Sequence, residues 1–280
     1  MPELGGENTF QQTVSEMALA GFTGCEIGNK YPKDPAELKK ALDLRGMRIA
    51  SRWYSSFLLT RPFEEEEKDF IANLDFLEAV GANHINVSEQ SYSIQGKMDV
   101  PVLTGGHKHV MDDAEWKLLC DGLNKLGKIA ADRGFKLCFH HHMGTVVQTS
   151  EETDRMMANT DPRYVFLCYD TGHFTFSGED AVKAAKEFGP RIGHVHLKDI
   201  RPDMMEKAYA EGFKFRKAVL EGCFTIPGDG CVDYPGVFKA LHDAHYEGWF
   251  IVEAEQDPAK ANPLEYAKMA REYIRKTAGI

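Results

Sequence analysis

The sequence predicts an α/β fold of the TIM-type (β/α)8 barrel class, with the first of its eight strands missing from this chain. Short apolar runs alternate with amphipathic helical patterns along the whole chain, which is typical of βα units built on a parallel sheet. A length of 280 residues suits one such barrel, and no low-complexity linker interrupts the pattern. We therefore expect a single barrel domain over residues 1–280.

Seven apolar runs bounded by turn residues are predicted as strands. In chain order they are 24–28, 48–53, 82–88, 135–141, 164–170, 192–197 and 249–255. Between and around them, apolar residues recur at helical spacing. The predicted helices are 8–20, 35–44, 64–80, 112–133, 150–158, 178–188, 202–220, 234–245 and 263–277. A long polar loop over residues 89–111 separates the strand and helix on either side of it.

The start of the chain departs from the barrel pattern. Phe10, Val14, Met17 and Ala18 share one face of the first predicted helix, and no strand precedes that helix. Every helix of an eight-fold barrel follows a strand, so the first strand is missing from the count. Two explanations stay open: a chain that begins late, or a sheet that is open or holds a strand too weak to recognise.

Composition disfavours several classes of function. The chain carries 33 Lys and Arg against 43 Asp and Glu, a net charge of −10, which opposes binding to nucleic acid. Its six cysteines form no CxxC pair, and this favours a reducing compartment over secretion. No apolar run is long enough to span a membrane, and the first ten residues do not form a signal peptide. We expect a cytoplasmic protein that binds neither membranes nor nucleic acid.

Chemically capable side chains cluster at the ends of four predicted strands, where barrel enzymes place their functional groups. The four ends carry, in chain order, His140–His142, Asp170 with His173, His194 with His196 and Lys198, and Glu253 with Glu255. Because strand side chains alternate between faces, the members of the last two sets share one face each. Histidine with carboxylate suits a borderline divalent ion such as manganese, cobalt, iron or zinc. The sequence therefore predicts a site at this rim, with a metal ion as its best explanation.

Several of these residues also have ordinary structural interpretations. His194 lies one layer deeper than His196 and suits a hydrogen-bonded core position, and Asp199 suits a helix cap or a solvated loop. The loop at 227–230, PGDG, is equally compatible with a common turn and with close backbone approach to a ligand. Arg52 and Trp53 end the strand at 48–53, where Trp53 could wall a sugar ring or simply pack in the core. Glu26 is a polar residue inside a predicted strand, and an inward, structural position is expected for it.

The phrases at these positions resemble the xylose-isomerase-like barrel superfamily, and within it the inosose dehydratases. They are HHHMGT at 140–145, DTGH at 170–173, HVHLKD at 194–199, PGDG at 227–230, VEAEQDP at 252–258 and ANPLEYA at 261–267. The resemblance runs from Pro2 to the carboxyl terminus, and this order of phrases is far more specific than any single histidine or glutamate. The family ordinarily has a first strand before the PELGG phrase, which supports the late-start explanation.

The resemblance implies a divalent metal ion, with Mn²⁺ or Co²⁺ expected first and Zn²⁺ or Fe²⁺ as alternatives. Its implied ligands are Asp170, His196 and Glu253. At the position of the family's first glutamate ligand this chain has His140. Three alternatives stay open: His140 replaces that ligand, His142 replaces it, or no side chain fills that position. The substrate would be a small cyclitol.

The resemblance also implies a reaction, the dehydration of 2-keto-myo-inositol to a trihydroxycyclohexane-dione in inositol catabolism. Loss of water next to a ketone needs a base and an acid. Glu255 or Glu253 is expected as the base, and His173 or Lys198 as the acid. The residues expected to bind the substrate are His142, Asp199, Trp53 and Arg52.

Three other functions compete with a dehydratase. A sugar or cyclitol isomerase or epimerase of the same superfamily is the nearest alternative, because it also removes a proton next to a carbonyl. A metal-dependent nuclease on this barrel is disfavoured by the negative charge. A non-catalytic sugar-binding protein is the third. Barrels of this superfamily often pair, so a homo-oligomer is also expected.

Overall fold

Parallel strands follow one another in chain order and form the inner layer of the molecule. The computed structural model describes residues 4–96 and 99–280. The strands are β1 Gly24–Cys25, β2 Arg48–Ile49, β3 Trp53–Ser56, β4 His84–Glu89, β5 Lys136–His140, β6 Val165–Asp170, β7 Ile192–Leu197, β8 Asp199–Ile200, β9 Phe224–Thr225 and β10 Phe250–Val252. The six strands in the order β10-β7-β6-β5-β4-β3 form one parallel sheet, and β1 and β2 form a parallel pair.

The two parallel pieces are joined by residues 50–52, which link β2 to β3. The Ala50 N–H donates to the Cys25 carbonyl at 2.9 Å, and the Arg52 carbonyl accepts from the Asn86 N–H at 3.0 Å. One extended segment, 48–56, therefore pairs with β1 on one side and with β4 on the other. Among the described residues this makes seven parallel strands, as the sequence predicted.

Helices cover the outer face of these strands. They are α1 Phe10–Leu19, α2 Pro35–Asp43, α3 Phe63–Ala79, α4 Asp113–Asp132, α5 Ser150–Ala158, α6 Thr171–Phe176, α7 Ala181–Phe188, α8 Pro202–Glu211, α9 Phe215–Glu221, α10 Tyr234–Asp243 and α11 Pro263–Ala278, with a 3₁₀ turn at Gly189–Arg191. The main core lies between helices and strands and reaches from Phe10 to Ile274. Leu126, Phe139 and Leu167 are fully buried in it.

Helix starts follow from local chemistry. Asp112 and Glu115 form a reciprocal capping box at the start of α4, and Thr149 and Glu152 form another at α5. The predicted helix 202–220 is two helices instead of one. Gly212 ends α8 in a left-handed conformation (φ 63°), and the chain turns there before α9 begins.

Two features near the strand ends were not predicted. The short helix α6 follows β6 without a loop, and Asp170 caps it by accepting from the His173 N–H at 2.8 Å. The strands β8 and β9 form an antiparallel pair. Together with α8 and α9 they enclose a second, smaller apolar cluster that includes Phe176, Phe213 and Phe224.

The outer edges of β1 and β10 have no strand partner among the described residues. Between these edges lies a cleft of about 680 Å³ whose lining includes Met17, Gly24, Phe250 and Val252. The Trp249 ring lies against Gly24 at the bottom of the same gap, where an added Cβ would come within 2.6 Å of the ring. The gap stands where an eighth strand would complete the barrel.

All six cysteines are free, and five of them are buried. Within residues 4–96 and 99–280, each helix is too short or too polar to cross a lipid bilayer.

Candidate metal centre and active site

Four strand ends bring two imidazoles and two carboxylates to one point. His140 ends β5, Asp170 ends β6, His196 lies in β7 and Glu253 follows β10. His140 Nε2 lies 3.1 Å from His196 Nδ1 and 3.5 Å from Asp170 Oδ2, and Glu253 Oε2 lies 2.9 Å from His196 Nδ1. One donor atom from each of the four lies within 4.8 Å of the others. We call His140, Asp170, His196 and Glu253 the ligand group.

Sheet register and side-chain alternation explain this convergence. Asp170 stands directly opposite His196 across the β6–β7 pair, so their side chains leave the sheet at the same level. His141, between two inward histidines, turns to the opposite face and stacks on Phe174 with ring centroids 3.7 Å apart. The ligand group therefore contains His140 and leaves out both His141 and His142.

The free atoms of the ligand group fit a divalent cation. Asp170 Oδ1 is used by the His173 N–H, whereas Asp170 Oδ2 is buried without a hydrogen-bond partner among the described residues. Glu253 Oε2 is likewise unpartnered there, since its short distance to His196 does not have hydrogen-bond geometry. Two carboxylate oxygens without donors face two imidazole nitrogens, and a borderline cation accepts that mixture.

Lys198 forms a row with two of the predicted catalytic residues. Its buried Nζ donates to Glu255 Oε2 at 2.8 Å and to His173 Nε2 at 3.0 Å. The same ammonium lies 3.4 Å from Glu253 and 3.6 Å from Asp170, so the row is in contact with the ligand group. We call Glu255, Lys198 and His173 the proton row. The structure brings all three together as the sequence predicted, and their catalytic roles remain proposals.

Burial and charge act in opposition on the carboxylates of the site. Burial raises the pKa of Asp170, but Lys198, together with His173, His140 and His196, outweighs it and leaves that pKa well below its usual value. The same competition, with His196 added to Lys198, lowers the pKa of Glu253 to about 2. At Glu255 burial prevails over the attraction of Lys198, and the pKa is raised. Glu255 is therefore the most basic of the three carboxylates.

The pKa values of the two basic groups of the proton row, Lys198 and His173, are shifted in opposite directions. Burial lowers the pKa of Lys198, but Asp170, Glu253 and Glu255 outweigh it and the pKa is raised, so the ammonium stays charged. Burial, the neighbouring His142 and the Lys198 charge hold the pKa of His173 well below its usual value. A neutral His173 can accept the hydrogen bond that Lys198 donates.

His142 and Trp53 line the side of the site. Burial, with the neighbouring His140, lowers the pKa of His142 to about 3. Its Nδ1 lies 2.8 Å from the Met143 carbonyl, so that nitrogen carries the proton and donates. The Trp53 ring lies 5.3 Å from the His140 ring and 5.7 Å from the His142 ring, between ring centroids. Both rings therefore lie beside His140 of the ligand group.

Two residues predicted to bind substrate have other roles in the structure, and these are corrections. Arg52 lies on the opposite face of its strand from Trp53, with its guanidinium 5.3 Å from the Phe76 ring of α3. Asp199 is fully buried and accepts three backbone N–H groups, from Ile200, Gly228 and Val232. Its carboxylate organises the loop that contains PGDG instead of facing a ligand.

The glycines of the PGDG loop have packing reasons. Gly228 has a φ of 89°, which favours glycine, and an added Cβ would come within 2.5 Å of the Tyr273 ring. A Cβ at Gly230 would overlap the Asp199 carboxylate. Of the two interpretations left open for this loop, the structure supports the ordinary turn.

Three residues near the site were given no functional role from the sequence. Glu26 lies between His194 and His196 and bonds to both. The signal was present, since a carboxylate in an apolar strand needs partners when it is buried. Phe215 and Phe224 come from the unpredicted second cluster; Phe224 lies 5.6 Å from Lys198 Nζ and Phe215 lies 5.5 Å from the His142 ring. No local pattern marks these two aromatic residues.

Comparison with known proteins identifies the family of this chain. Residues 14–277 match the family described as Xylose isomerase-like TIM barrel. The chain is 58% identical over 280 residues to an inosose dehydratase of Clostridium beijerinckii, covering all of this chain and 93% of that protein. It is 57% identical, with the same coverage, to an inosose dehydratase of Geobacillus thermodenitrificans.

Solved structures share the fold at much lower identity. A probable 3-DHS dehydratase from Bacillus anthracis superposes with a TM-score of 0.72 at 16% identity, over 95% of this chain and 93% of that one. The IOLI protein with a binding zinc atom gives a TM-score of 0.72 at 15% identity, over 97% and 94% of the two chains. At these identities the likeness shows the barrel alone. The full-length relatives decide the family: this chain belongs to the inosose dehydratases, within the Xylose isomerase-like TIM barrels.

Proposed function

We propose that this chain dehydrates 2-keto-myo-inositol, releasing water and forming a trihydroxycyclohexane-dione in inositol catabolism in the cytoplasm. The inosose dehydratases that it matches over its full length support the reaction class. The observation that carries the proposal is the contact between the proton row and the ligand group. Lys198 Nζ reaches Glu255 on one side and lies 3.4 Å from Glu253 on the other.

The proton row contains what an elimination of water requires. Glu255 is the proposed base, because its pKa is raised and Oε2 is already bonded to Lys198, leaving Oε1 to take the proton beside the ketone. The electrons of the broken C–H bond form the new C=C bond as the C–O bond breaks. Lys198 then supplies a proton to the departing hydroxyl, which leaves as water. The resulting enol becomes the dione when its hydroxyl proton is lost and a proton adds to the carbon that lost the hydroxyl.

The same contact restores the starting state. The Glu255 carboxyl group then turns so that its protonated oxygen takes the place of Oε2, which lies 2.8 Å from the Lys198 nitrogen. The proton passes to that nitrogen, so each group regains its charge and the protons balance. Neutral His173 accepts from Lys198 and holds the ammonium in position. A positioned base and acid contribute roughly 10²–10⁴-fold each to a rate.

The ligand group is the proposed holder of a divalent cation, Mn²⁺ or Co²⁺ first and Zn²⁺ or Fe²⁺ as alternatives. Two histidine nitrogens and two carboxylate oxygens, brought within 4.8 Å of one another, support this choice of ions. Such a cation supplies a Lewis acid that polarises a carbonyl, worth several kcal/mol.

The test uses purified protein, Mn²⁺ and inosose, followed by the ultraviolet absorbance of the conjugated product. We expect the wild type to produce that absorbance. The Glu255→Gln variant should lower turnover at least about 10²-fold while its bound metal, measured by elemental analysis, stays at the wild-type level. The control is Glu272→Gln, a surface carboxylate on α11 paired with Lys276, which should keep full activity.

Two results would contradict the proposal. Full activity after chelator treatment would remove the cation from the mechanism. Exchange of substrate hydrogen with solvent, without any new absorbance, would identify an isomerase or epimerase instead, because such an enzyme returns the proton and keeps the hydroxyl.

A further inference from the structure

Glu26, which follows β1, is the meeting point of four hydrogen bonds. Its Oε1 accepts from Ser51 Oγ at 2.5 Å, from Asn86 Nδ2 at 2.7 Å, from His194 Nε2 at 2.9 Å and from His196 Nε2 at 3.0 Å. The donors come from three different parts of the barrel wall, and each of them is fully or almost fully buried. The carboxylate is therefore held firmly in one place.

His196 connects this carboxylate to the ligand group. Its Nε2 faces Glu26, while its Nδ1 faces His140 Nε2 at 3.1 Å and Glu253 Oε2 at 2.9 Å. A proton on Nε2 is donated to Glu26 and leaves the lone pair of the neutral ring on Nδ1, which is the atom that a cation needs. Glu26 thus selects the tautomer of the ring as well as its angle.

The other histidine of the ligand group lacks such support. His140 Nδ1 is buried and has no hydrogen-bond partner among the described residues. The two imidazoles are therefore unequal: only His196 has a carboxylate behind it. A carboxylate that accepts from a metal-bound imidazole also makes the ring a more basic ligand. Of the two imidazoles of the ligand group, only His196 would gain this effect, and it would gain it from Glu26.

We infer that Glu26 is a positioning residue for the cation, which holds His196 with its Nδ1 lone pair aimed at the centre of the ligand group. The inference rests on the proposed cation site. Glu26 with His194 and His196 could also be taken for a second cation site, since their donor atoms lie close together. Four donated hydrogen bonds already point at Glu26 Oε1, which favours the positioning role.

The experiment measures metal binding without substrate. Mn²⁺ alone is titrated into metal-free protein by calorimetry, and Co²⁺ is added separately to record its visible absorption spectrum. Glu26→Gln keeps the shape of the side chain, and we expect about 10-fold weaker Mn²⁺ binding; Glu26→Ala should weaken it about 100-fold and alter the Co²⁺ bands. The matched control is Glu66→Gln. Glu66 is a fully buried carboxylate on α3 that accepts a hydrogen bond from Tyr54 of β3, and we expect its variant to bind Mn²⁺ with wild-type affinity.

Stoichiometry and affinity decide between outcomes. One Mn²⁺ per chain, bound more weakly in both Glu26 variants but not in the Glu66 variant, supports the inference. Wild-type affinity and a wild-type Co²⁺ spectrum in Glu26→Ala would overturn it. So would binding of two Mn²⁺ per chain by the wild type and only one by Glu26→Ala, because Glu26 would then be a ligand of a second cation site. Absence of any binding by the wild type would overturn both this inference and the proposed cation. A protein that fails to dehydrate inosose but binds Mn²⁺ in a Glu26-dependent way would contradict the proposed function alone.

Discussion

Individual histidines of this chain differ in chemistry because each ring has different neighbours. His140 faces the ligand group, His141 stacks on Phe174 outside it, and His142 donates to a backbone carbonyl. These three are consecutive in sequence, so no local pattern beyond the alternation of a strand separates them. Which nitrogen carries the proton follows from partners that come from other strands.

His84 tests how burial of an imidazole affects stability. Its Nδ1 bonds to Asn83, its Nε2 has no partner among the described residues, and burial, with the charges of His194 and Lys136, lowers its pKa to about 4. The unfolded chain takes up this proton near pH 6.5 and the folded chain only near 4. Stability contributed by the neutral ring is therefore present above pH 6.5 and lost as the pH falls towards 4, by at most about 3 kcal/mol.

Replacing His84 should reduce that loss. Urea unfolding of His84→Asn between pH 7 and 4 should show a shallower fall in the free energy of unfolding than the wild type. His107→Asn, at an exposed histidine, is the control and should follow the wild-type curve. Identical slopes for His84→Asn and the wild type would show that this ring is not responsible.

Gly172 tests the placement of Lys198. An added Cβ at Gly172 would lie 2.5 Å from Lys198 Cγ, so Gly172→Ala must push the lysine stem away from its position. We expect turnover to fall on the order of 10²-fold, since misplacement of a catalytic group by about 1 Å has that effect. Mn²⁺ affinity, measured by calorimetry, should change little. Gly6→Ala, where an added Cβ meets no atom within 4 Å, should keep wild-type turnover; equal activity of the Gly172 variant would contradict the role of Lys198.

At the scale of elements, strand alternation decides which side chains reach the site. Trp53 begins β3 and lies beside His140 and His142, whereas Arg52, one residue earlier, packs on Phe76 of α3. The sequence placed both at the end of one strand, where neighbouring side chains take opposite faces, but it did not show which of the two faces points to the site. Only the backbone hydrogen bonds that residues 50–52 make to the neighbouring strands show which face of the sheet Arg52 and Trp53 each take.

This difference gives a paired prediction on one strand. Trp53→Ala should raise the KM for inosose about tenfold, which corresponds to about 1.4 kcal/mol, by removing an apolar wall of the site. Arg52→Met should leave KM unchanged and lower the free energy of unfolding by about 1 kcal/mol through loss of its contact with the Phe76 ring. Steady-state kinetics and urea unfolding measure the two effects. A raised KM in Arg52→Met would return that residue to the substrate site.

Helices were predicted more completely than the segments at the rim. Amphipathic periodicity and capping residues located α4, α5 and α11 to within one residue at each end. The helix α6 was missed because it is short, starts directly at the end of β6 and is almost wholly buried, which hides its periodicity. Gly212 could have indicated the break between α8 and α9, since glycine so often ends a helix.

At the scale of the whole molecule, parallel strands place every carboxyl end at one rim. The ligand group spans 114 positions of sequence, from His140 to Glu253, yet its donor atoms lie within 4.8 Å of one another. One oxygen of Asp170 and one of Glu253 accept no hydrogen bond within the part of the chain that the structure describes, so a bound cation would give both of them a partner. A small cyclitol partner, independence from nucleic acid and a homo-oligomer stay predictions.

Cation binding should therefore stabilise the whole chain. A ligand at about 1,000 times its Kd adds about 4 kcal/mol to the free energy of unfolding, roughly 10 °C in Tm for a chain of this size. Thermal unfolding of chelator-treated protein with and without Mn²⁺ measures the shift. The Asp170→Asn variant, which lacks one ligand charge, should lose most of it. A wild-type Tm that does not respond to Mn²⁺, Co²⁺ or Zn²⁺ would contradict the cation site.

The sequence by itself determined the barrel class, the seven parallel strands and the four strand ends that bear the chemistry, because periodicity and strand direction are local properties. It also determined the family, through phrases that relatives share over the full chain. Only the tertiary structure decided that His140 joins the ligand group, that Asp199 bonds to a loop backbone while Arg52 packs on Phe76, and that Glu26 stands behind His196. Each of these depends on contacts between residues far apart in the chain, and such contacts exist only once the sheet has formed.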